Sequence, residues 1–386
     1  MRFSDKPIGM STSHQQSSRI PVTLITGFLG SGKTTLINAA LKAPELAKTI
    51  VVVNEFGEVG LDHQLYTSSN DAVIVLENGC LCCTVRSDLI GTLNGLFHDR
   101  QGGRLPDFNN VVIETTGLAE PGPVIQAFLS EPTLDGLYRV ANVVTVVDAV
   151  NWKSTAETHD EAIRQVALAD TILISKLDLV IEDNFENLYI ELNAINPAAK
   201  VSKVDFSPAA VVPLLMHHGF DAANATSDPT HWLSIASYEA YAKKIEQTDG
   251  VSDLNMPSHL AAKGIESFVL SRSVPLLREE LQFLLDGIVQ NLGPSLLRVK
   301  GLVNIREEPG KPAIVQGAQH LLHSLTWLDK WPSADQRTRI VFITQGIARE
   351  KLKEIIELLD RMSERTFLAR EKGRKVRLAE EQQQKV

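Results

Sequence analysis

The sequence Gly27-Phe28-Leu29-Gly30-Ser31-Gly32-Lys33-Thr34 fills every fixed position of the phosphate-loop pattern G-x-x-x-x-G-K-[ST]. This loop follows a short apolar run, residues 22–25, and leads into a helical pattern at residues 35–41. Its glycines let backbone N–H groups wrap phosphate oxygens, and the helix amino terminus adds a positive dipole. The sequence therefore predicts a nucleotide site, whose contacts are Gly27, Gly30, Ser31, Gly32, Lys33, Thr34 and Thr35.

Two side chains of the loop have predicted chemical roles. Lys33 is expected to reach the β- and γ-phosphates, and the Thr34 hydroxyl is expected to bind Mg²⁺. A glycine-rich turn that binds no nucleotide is the alternative. The position of the loop between a strand-like run and a helix favours the nucleotide, because the pattern is specific in that context.

Apolar, β-branched runs recur along the first half of the chain and alternate with helical patterns. They lie at residues 22–25, 50–53, 72–75, 111–113, 143–147 and 171–174. Strands that are apolar on both faces are typical of a parallel sheet covered by helices on each side. We therefore predict an α/β fold, a P-loop domain with a doubly wound, mostly parallel sheet, whose active residues lie at the carboxyl ends of the strands.

The run at residues 111–113 ends in Glu114-Thr115-Thr116-Gly117. A carboxylate at a strand end beside a phosphate loop is able to orient a water bound to Mg²⁺, which gives Glu114 a predicted catalytic role. The Gly117 N–H is expected to sense the γ-phosphate, as glycine does in nucleotide switches. A purely structural turn is the alternative.

The run at residues 171–174 leads into Ser175-Lys176-Leu177-Asp178, which resembles the guanine-reading pattern N-K-x-D with serine in place of asparagine. Asp178 is expected to accept hydrogen bonds from N1 and N2 of guanine, and Lys176 to lie along the base plane. A helix-capping aspartate is the alternative. Because serine cannot reproduce the bonds of the amide, we expect a preference for GTP over ATP that is somewhat relaxed.

All three cysteines of the chain, Cys80, Cys82 and Cys83, lie within four positions. Thiolates favour Zn(II) or Cu(I), and Gly79 permits a turn on which neighbouring side chains converge. The pattern C-x-C-C lacks the spacing of a thioredoxin-type motif, so we favour metal over a redox pair or reduced structural cysteines. Glu58 is a candidate fourth ligand or metal relay, and equally a solvated loop acid.

The pattern changes in the second half of the chain. Polar residues 221–263 predict a loop or linker. Strand-like runs at residues 267–270, 297–303, 313–316 and 339–343, with an amphipathic helix at 275–289, predict a smaller C-terminal α+β domain with a mostly antiparallel sheet. The predicted organisation is a disordered leader at 1–19, a P-loop domain at 20–220, the linker at 221–263, the α+β domain at 264–363 and a charged tail at 364–386.

Composition restricts the partners and the compartment. A formal net charge of −9 argues against broad nucleic-acid binding. No apolar run approaches the roughly 20 residues of a membrane helix, and the polar amino terminus lacks a secretory segment. Tightly clustered cysteines cannot link distant segments, which favours a reducing compartment. We therefore expect a cytoplasmic protein that binds neither nucleic acid nor membrane.

Taken together, four motifs resemble those of the CobW family of metal-handling GTPases. They are the phosphate loop at residues 27–36, Asn54-Glu55-Phe56-Gly57-Glu58, Glu77-Asn78-Gly79-Cys80-Leu81-Cys82-Cys83, and Glu114-Thr115-Thr116-Gly117-Leu118-Ala119-Glu120-Pro121. Residues 297–301 and 315–317 resemble the C-terminal domain of the family, so the resemblance runs from residue 20 to near residue 362. Ser175 is the departure from the family pattern.

The resemblance implies a GTPase that couples GTP binding and hydrolysis to the delivery of a transition metal to a client protein. Subgroups of the family are associated with zinc, with cobalt for cobalamin synthesis, or with nitrile hydratase activation. Three thiolates favour zinc over cobalt. The expected ligands are therefore GTP or GDP, Mg²⁺ and Zn²⁺, the expected partner is a metal-requiring client, and a homodimer is left open.

Two other classes of function compete with this interpretation. The first is a nucleotide-dependent regulatory or scaffold protein in which the cysteine cluster is redox-active or structural. The second is a small-molecule kinase, which would need a base at the acceptor site that the sequence does not reveal. Metal content with and without GTP separates the metallochaperone from the regulatory protein.

Overall fold

A computed structural model describes most of the two predicted domains. The described residues are 19–54, 73–76, 84–180, 183–216, 264–318, 321–322, 325–332, 334–348, 350–351, 353–358, 361–362 and 365. The predicted linker lies outside these ranges, as do the predicted leader and tail except for Arg19 and Arg365. Glu58 and the three cysteines also lie outside the described residues, so the predictions made for them stay predictions.

In the part of the chain that the structure describes, the first sheet contains seven parallel strands. In chain order they are β1 (Ile20–Thr26), β2 (Thr49–Asn54), β3 (Val73–Leu76), β4 (Asn110–Glu114), β5 (Tyr138–Asp148), β6 (Thr171–Ser175) and β7 (Lys200–Lys203). Their order in space is β3-β2-β4-β1-β5-β6-β7, which places the phosphate-loop strand β1 in the middle. The predicted parallel α/β sheet is confirmed, and each of the six predicted runs overlaps one of these strands.

Helices cover both faces of this sheet. They are α1 (Lys33–Ala40), α2 (Thr84–Gln101), α3 (Pro121–Ser130), α4 (Pro132–Leu137), α5 (Trp152–Thr158), α6 (Asp160–Leu168), α7 (Asp183–Ile195) and α8 (Pro208–Met216). Neighbouring residues of β1 show the two layers, because Leu24 packs in a cluster with α2 and α3 while Ile25 packs in a cluster with α1 and α8. Burial on both faces explains why the central strands are apolar throughout.

The seventh strand, β7, was missed by the sequence prediction. It reads Lys-Val-Ser-Lys, and both of its lysines are exposed. The strand lies at the edge of the sheet, where β6 is its one partner among the described strands. An edge strand needs no continuous apolar run, so the pattern that identified the six inner strands is absent from it.

The second sheet is antiparallel and lies in the C-terminal half. Its strands are β8 (Ile265–Arg272), β9 (Leu296–Val303), β10 (Ala313–Ala318), β11 (Leu321–Leu322), β12 (Thr326–Trp327) and β13 (Thr338–Gln345). One long helix, α9 (Arg278–Leu292), packs on it through Leu281, Leu284 and Ile288. The helix begins three residues later than predicted, where Glu280 accepts a hydrogen bond from the Leu277 N–H at 2.8 Å. The predicted C-terminal α+β fold is confirmed.

A buried junction joins the two sheets. Ile163 and Val166 of α6 share one hydrophobic cluster with Leu297 of β9 and with Val341 and Ile343 of β13. Burial of apolar side chains from both halves makes this a continuous core rather than a loose contact. The position of the C-terminal sheet is therefore tied to α6.

A charged group lies within this junction. Asp170, just before β6, accepts a hydrogen bond from Arg298 at 2.6 Å and from Lys300 at 2.8 Å. Its second carboxylate oxygen accepts a bond from the Val143 N–H at 3.0 Å. Burial raises the pKa of Asp170, but the two cations of β9 outweigh this effect and hold the pKa at about 2.

Among the described residues, no helix combines the length and the apolar character that crossing a bilayer requires.

Candidate functional site

The phosphate loop has the geometry that its glycines predict. Gly27 has a φ of 139°, and a Cβ atom there would come within 2.3 Å of the Val146 carbonyl oxygen. Gly32 has a φ of 103° and forms the amino-terminal cap of α1. Both positions therefore require glycine, the first for space and backbone angle and the second for backbone angle.

Lys33 folds back over the loop that precedes it. Its ammonium donates hydrogen bonds to the carbonyl oxygens of Gly27 at 2.9 Å and Phe28 at 3.1 Å. The side chain is only 7% exposed. A buried positive charge in the concavity of a glycine-rich loop suits a polyphosphate, because phosphate oxygens supply the compensating negative charge.

Thr34 and Glu114 are brought together although they are 80 residues apart. The Thr34 hydroxyl donates a hydrogen bond to the Glu114 carboxylate at 3.1 Å. Glu114 ends β4, the neighbour of β1, and is 6% exposed. A hydroxyl and a carboxylate beside a phosphate loop are the hard oxygen donors that Mg²⁺ prefers, so this pair fits the predicted Mg²⁺ site. Thr35, also a predicted contact, is exposed on the first turn of α1.

The loop after β4 packs directly on the phosphate loop. The Thr115 N–H donates to the Ile25 carbonyl at 3.0 Å, and the Thr115 hydroxyl donates to Thr26 Oγ1 at 2.9 Å. A Cβ atom at Gly117 would lie 2.5 Å from the backbone nitrogen of Leu29. Gly117 is therefore a glycine because of close backbone contact, which leaves it beside the loop that is predicted to hold the phosphates.

Ser175 uses its hydroxyl inside the protein. Its oxygen lies 2.7 Å from the Ser31 carbonyl and 3.1 Å from the Val147 carbonyl, so its one proton is donated most favourably to Ser31. This bond ties the end of β6 to the phosphate loop. A serine in this position therefore holds the phosphate loop against the segment that is predicted to read the base, although it has no second polar group for the base. The Ser31 hydroxyl itself is buried and finds no hydrogen-bond partner among the described residues.

Lys176 and Asp178 lie at the same edge of the sheet. Lys176 has a φ of 57°, and its ammonium contacts the Asp148 carboxylate at 2.7 Å. Burial raises the pKa of Asp148, but hydrogen bonds from Lys176, Asn151 and the Val150 N–H together hold the pKa below its ordinary value. The Asp178 side chain is exposed, where a base could reach its carboxylate.

Phe206 is a candidate that sequence reasoning missed. It follows β7, and its ring lies 3.8 Å from the position that a Cβ atom of Gly32 would occupy. The side chain is 37% exposed. An exposed aromatic ring beside a phosphate loop offers a surface on which a base could stack. Recognising β7 would have placed this loop next to Lys176, since β6 and β7 are neighbours.

The predicted metal ligands belong to segments outside the described residues. Within the described ranges, no group of three or more His, Cys, Asp or Glu side chains is arranged to hold a metal ion. Cys80, Cys82, Cys83 and Glu58 all fall outside those ranges. The strands before them are described: β2 ends at Asn54 and β3 ends at Leu76, side by side and parallel.

The parallel sheet and the phosphate loop define a P-loop nucleotide-binding protein. A model of the CobW/HypB/UreG nucleotide-binding domain matches residues 21–203, and a model of the cobalamin synthesis protein cobW C-terminal domain matches residues 265–359. The zinc chaperone YjiA of Escherichia coli (strain K12) is 32% identical over 335 residues, which cover 86% of this chain and 96% of that protein. This chain belongs to the CobW family, and the predicted family resemblance is confirmed.

Two further comparisons agree with this membership. Zinc-regulated GTPase metalloprotein activator 1 of Dictyostelium discoideum is 29% identical over 331 residues, covering 75% of this chain and 64% of that protein. The crystal structure of Zn(II)-bound YjiA GTPase from E. coli superposes with a TM-score of 0.63 at 27% identity, covering 88% of this chain and 99% of that one. The fold of both halves is therefore shared with a solved relative.

Proposed function

We propose that this chain, a GTPase of the CobW family, binds zinc at Cys80, Cys82 and Cys83 and couples GTP hydrolysis to delivery of the metal to a client protein. One observation carries the nucleotide half of the proposal. Lys33, the Thr34–Glu114 pair and Gly117 converge at the carboxyl edge of one parallel sheet. Binding sites of open α/β sheets lie at this edge.

The phosphate chemistry follows from these side chains. Lys33 is proposed to exchange its bonds to the loop carbonyls for bonds to the β- and γ-phosphates as the nucleotide enters. Thr34 and Glu114 would hold Mg²⁺, which when bound neutralises phosphate charge. Glu114 would also orient the attacking water, and the Gly117 N–H would bind the γ-phosphate. In this proposal, four residues at one edge of the sheet bind the phosphates and Mg²⁺ and orient the attacking water.

Guanine recognition is assigned to the segment after β6. Because the Ser175 hydroxyl donates to Ser31, reading of the base is left to Asp178 and Lys176. The Asp178 carboxylate would accept two hydrogen bonds from guanine, whereas adenine presents an acceptor at N1. Phe206 would provide an apolar face for the base or the ribose, which stabilises any nucleotide and does not discriminate between bases.

The zinc half of the proposal is supported by ligand chemistry and by chain topology. Thiolates are soft ligands that suit zinc, and relatives of this chain are named zinc chaperones. The cysteine segment follows β3, and the Glu58 segment follows β2, the neighbouring parallel strand. Both segments therefore start from the sheet edge at which the nucleotide is proposed to bind, with Glu58 as a fourth ligand or relay.

The partner and the compartment complete the proposal. The client is a metal-requiring protein that accepts zinc from a three-thiolate site, the protein acts in the cytoplasm, and self-association into a homodimer is compatible with these roles. A regulatory or scaffold protein with a structural cysteine cluster is the alternative function. It would use the same nucleotide site, so the feature that favours metal delivery is that relatives of this chain are named zinc chaperones. Cobalt handling differs only in the metal.

The zinc assignment predicts one Zn(II) per chain in protein purified under reducing conditions. Cys82→Ser should reduce zinc affinity at least about tenfold, since it removes one of three thiolates. Metal content and a competition titration with a chromophoric chelator measure this, and equal GTP binding by the variant and the wild type, both free of metal, serves as the control for folding. Equal zinc affinity in the two proteins would exclude the cluster as the site.

A further inference from the structure

Helix α6 contacts the loop at residues 115–120, called here the Gly117 loop, through a buried amide. The Gln165 side chain donates hydrogen bonds to the carbonyl oxygens of Gly117 and Ala119, both at 3.0 Å. The residue is 1% exposed, so water does not replace these bonds. The same amide thus fixes both ends of the exposed Leu118 turn, directly after the glycine that packs on the phosphate loop.

The preceding residue joins this loop to the C-terminal sheet. Arg164 forms an ion pair with Glu120, the cap of α3, and its Nε–H donates to the Gln345 side-chain oxygen at 2.8 Å. Gln345 is the last residue of β13. Arg164 therefore bridges Glu120, at the end of the Gly117 loop, and β13 of the C-terminal sheet.

The start of α6 contacts the phosphate loop as well. The His159 ring, at the cap of α6, packs on the Phe28 ring with centroids 4.6 Å apart. Helix α6 thus contacts the phosphate loop through His159 at its cap, the Gly117 loop through Gln165, and the C-terminal sheet through its apolar face. A rigid element with these three contacts can transmit a change at one of them to the others.

We propose that Gln165 positions the Gly117 loop for the γ-phosphate, and that Arg164 transmits the position of that loop to the C-terminal sheet. This inference rests on the proposed role of Gly117. GTP and GDP differ only in the γ-phosphate, so a loop that binds this group has contacts with GTP that it lacks with GDP. The difference between bound GTP and bound GDP is therefore transmitted to β13 through Gln165 and Arg164, two neighbouring residues of α6.

The first test replaces Gln165 with methionine, which keeps the length of the side chain and removes both donors. Because the buried Gly117 carbonyl and the partly buried Ala119 carbonyl lose their partner, we expect GTP affinity and kcat/KM to fall about 10- to 100-fold, with GDP affinity changed less than about threefold. The measurements are equilibrium binding of both nucleotides and single-turnover hydrolysis. A variant with an unchanged ratio of GTP to GDP affinity would overturn the positioning role.

The matched control is Asn196→Leu. Asn196 is also 1% exposed, and its amide donates to Val166, Ala167 and Ala169 at the end of the same helix. None of these three hydrogen bonds involves the Gly117 loop, so their loss should lower the unfolding midpoint without changing the ratio of GTP to GDP affinity. If Asn196→Leu lowers the ratio of GTP to GDP affinity as much as Gln165→Met does, Gln165 acts through helix stability and the proposal is wrong. Failure of the wild-type protein to bind GDP would instead contradict the proposed nucleotide site itself.

The second test does not depend on a buried substitution. Arg164→Gln removes the partly exposed bridge, with Arg104→Gln, which breaks the exposed pair with Asp99, as the control. Hydrogen exchange of residues 343–346 should differ between a non-hydrolysable GTP analogue and GDP in wild type and in the control. In Arg164→Gln the difference should disappear while both nucleotides still bind. A difference that persists there, or is absent from wild type, would overturn transmission through Arg164.

Discussion

Lys33→Ala should abolish measurable GTP hydrolysis, with a loss of at least about 10³-fold in kcat/KM. The ammonium is buried and lies against the carbonyl oxygens of Gly27 and Phe28, within the concavity that a polyphosphate would fill. Alanine leaves no cation there to balance the charge that develops on the γ-phosphate. Phosphate release under single-turnover conditions measures the effect, and turnover equal to wild type would contradict the assignment.

The comparison for Lys33→Ala is Asp178→Asn, which changes the base site and leaves the phosphate site intact. An amide replaces the exposed carboxylate, so the variant should keep hydrolysis but lose affinity for GTP and narrow the difference between GTP and ATP. Loss of turnover with every nucleotide in Lys33→Ala, against a change of base preference in Asp178→Asn, separates the two roles. Equal binding of ATP and GTP by the unmodified protein would contradict guanine recognition.

Asp170→Asn should cause the largest loss of stability, about 3–5 kcal/mol in the free energy of unfolding. The substitution removes the carboxylate that Arg298 and Lys300 both contact at the junction of the two sheets. Two buried cations then repel each other without their shared anion. Urea unfolding followed by circular dichroism measures the loss, and a change below about 1 kcal/mol would show that solvent reaches this group.

Asp335→Asn is the matched control for Asp170. Asp335 also has a pKa of about 2, held low first by its hydrogen bond with Arg337, but it precedes β13, its side chain is partly exposed, and both of its arginine partners are nearby in sequence. Its loss should cost less than about 1 kcal/mol, because solvent screens the pair. Equal losses in the two variants would show that burial at the junction is unimportant.

The pKa of Asp170 also predicts how stability depends on pH. Its pKa is about 2 in the folded protein against an ordinary value of 3.8, so the unfolded chain binds the proton more tightly. The stability that this carboxylate contributes is complete above about pH 4 and is lost as pH falls toward 2. Between these limits the slope of unfolding free energy against pH should be smaller in Asp170→Asn than in wild type.

Local patterns in the sequence predicted the inner part of this molecule well. The phosphate loop and the acid at the end of β4 were recognisable because spacing and strand ends fix their position. The Thr34–Glu114 contact follows from this, since the phosphate loop and Thr34 come after β1, and Glu114 ends the neighbouring strand β4. Such contacts depend on topology, which the alternating pattern of strands and helices indicates.

Contacts between distant surfaces could not be predicted in the same way. Gln165 lies on a helix whose pattern gives no sign that its amide reaches Gly117. Asp170 and Lys300 are 130 residues apart, and their pairing depends on how the two sheets pack. The role of Ser175 was only partly predicted. The sequence showed that serine lacks the amide of the asparagine usual at this position, but it did not show the hydrogen bond from Ser175 to the phosphate loop.

The central claim is that the nucleotide and the metal act on each other through this fold. The most direct test is a zinc titration with a chromophoric competitor, in the presence of a non-hydrolysable GTP analogue and in the presence of GDP. The zinc dissociation constants should differ by roughly 5- to 150-fold, and zinc should change the ratio of GTP-analogue to GDP affinity by the same factor. Identical zinc dissociation constants with the two nucleotides would contradict the coupling of hydrolysis to metal delivery.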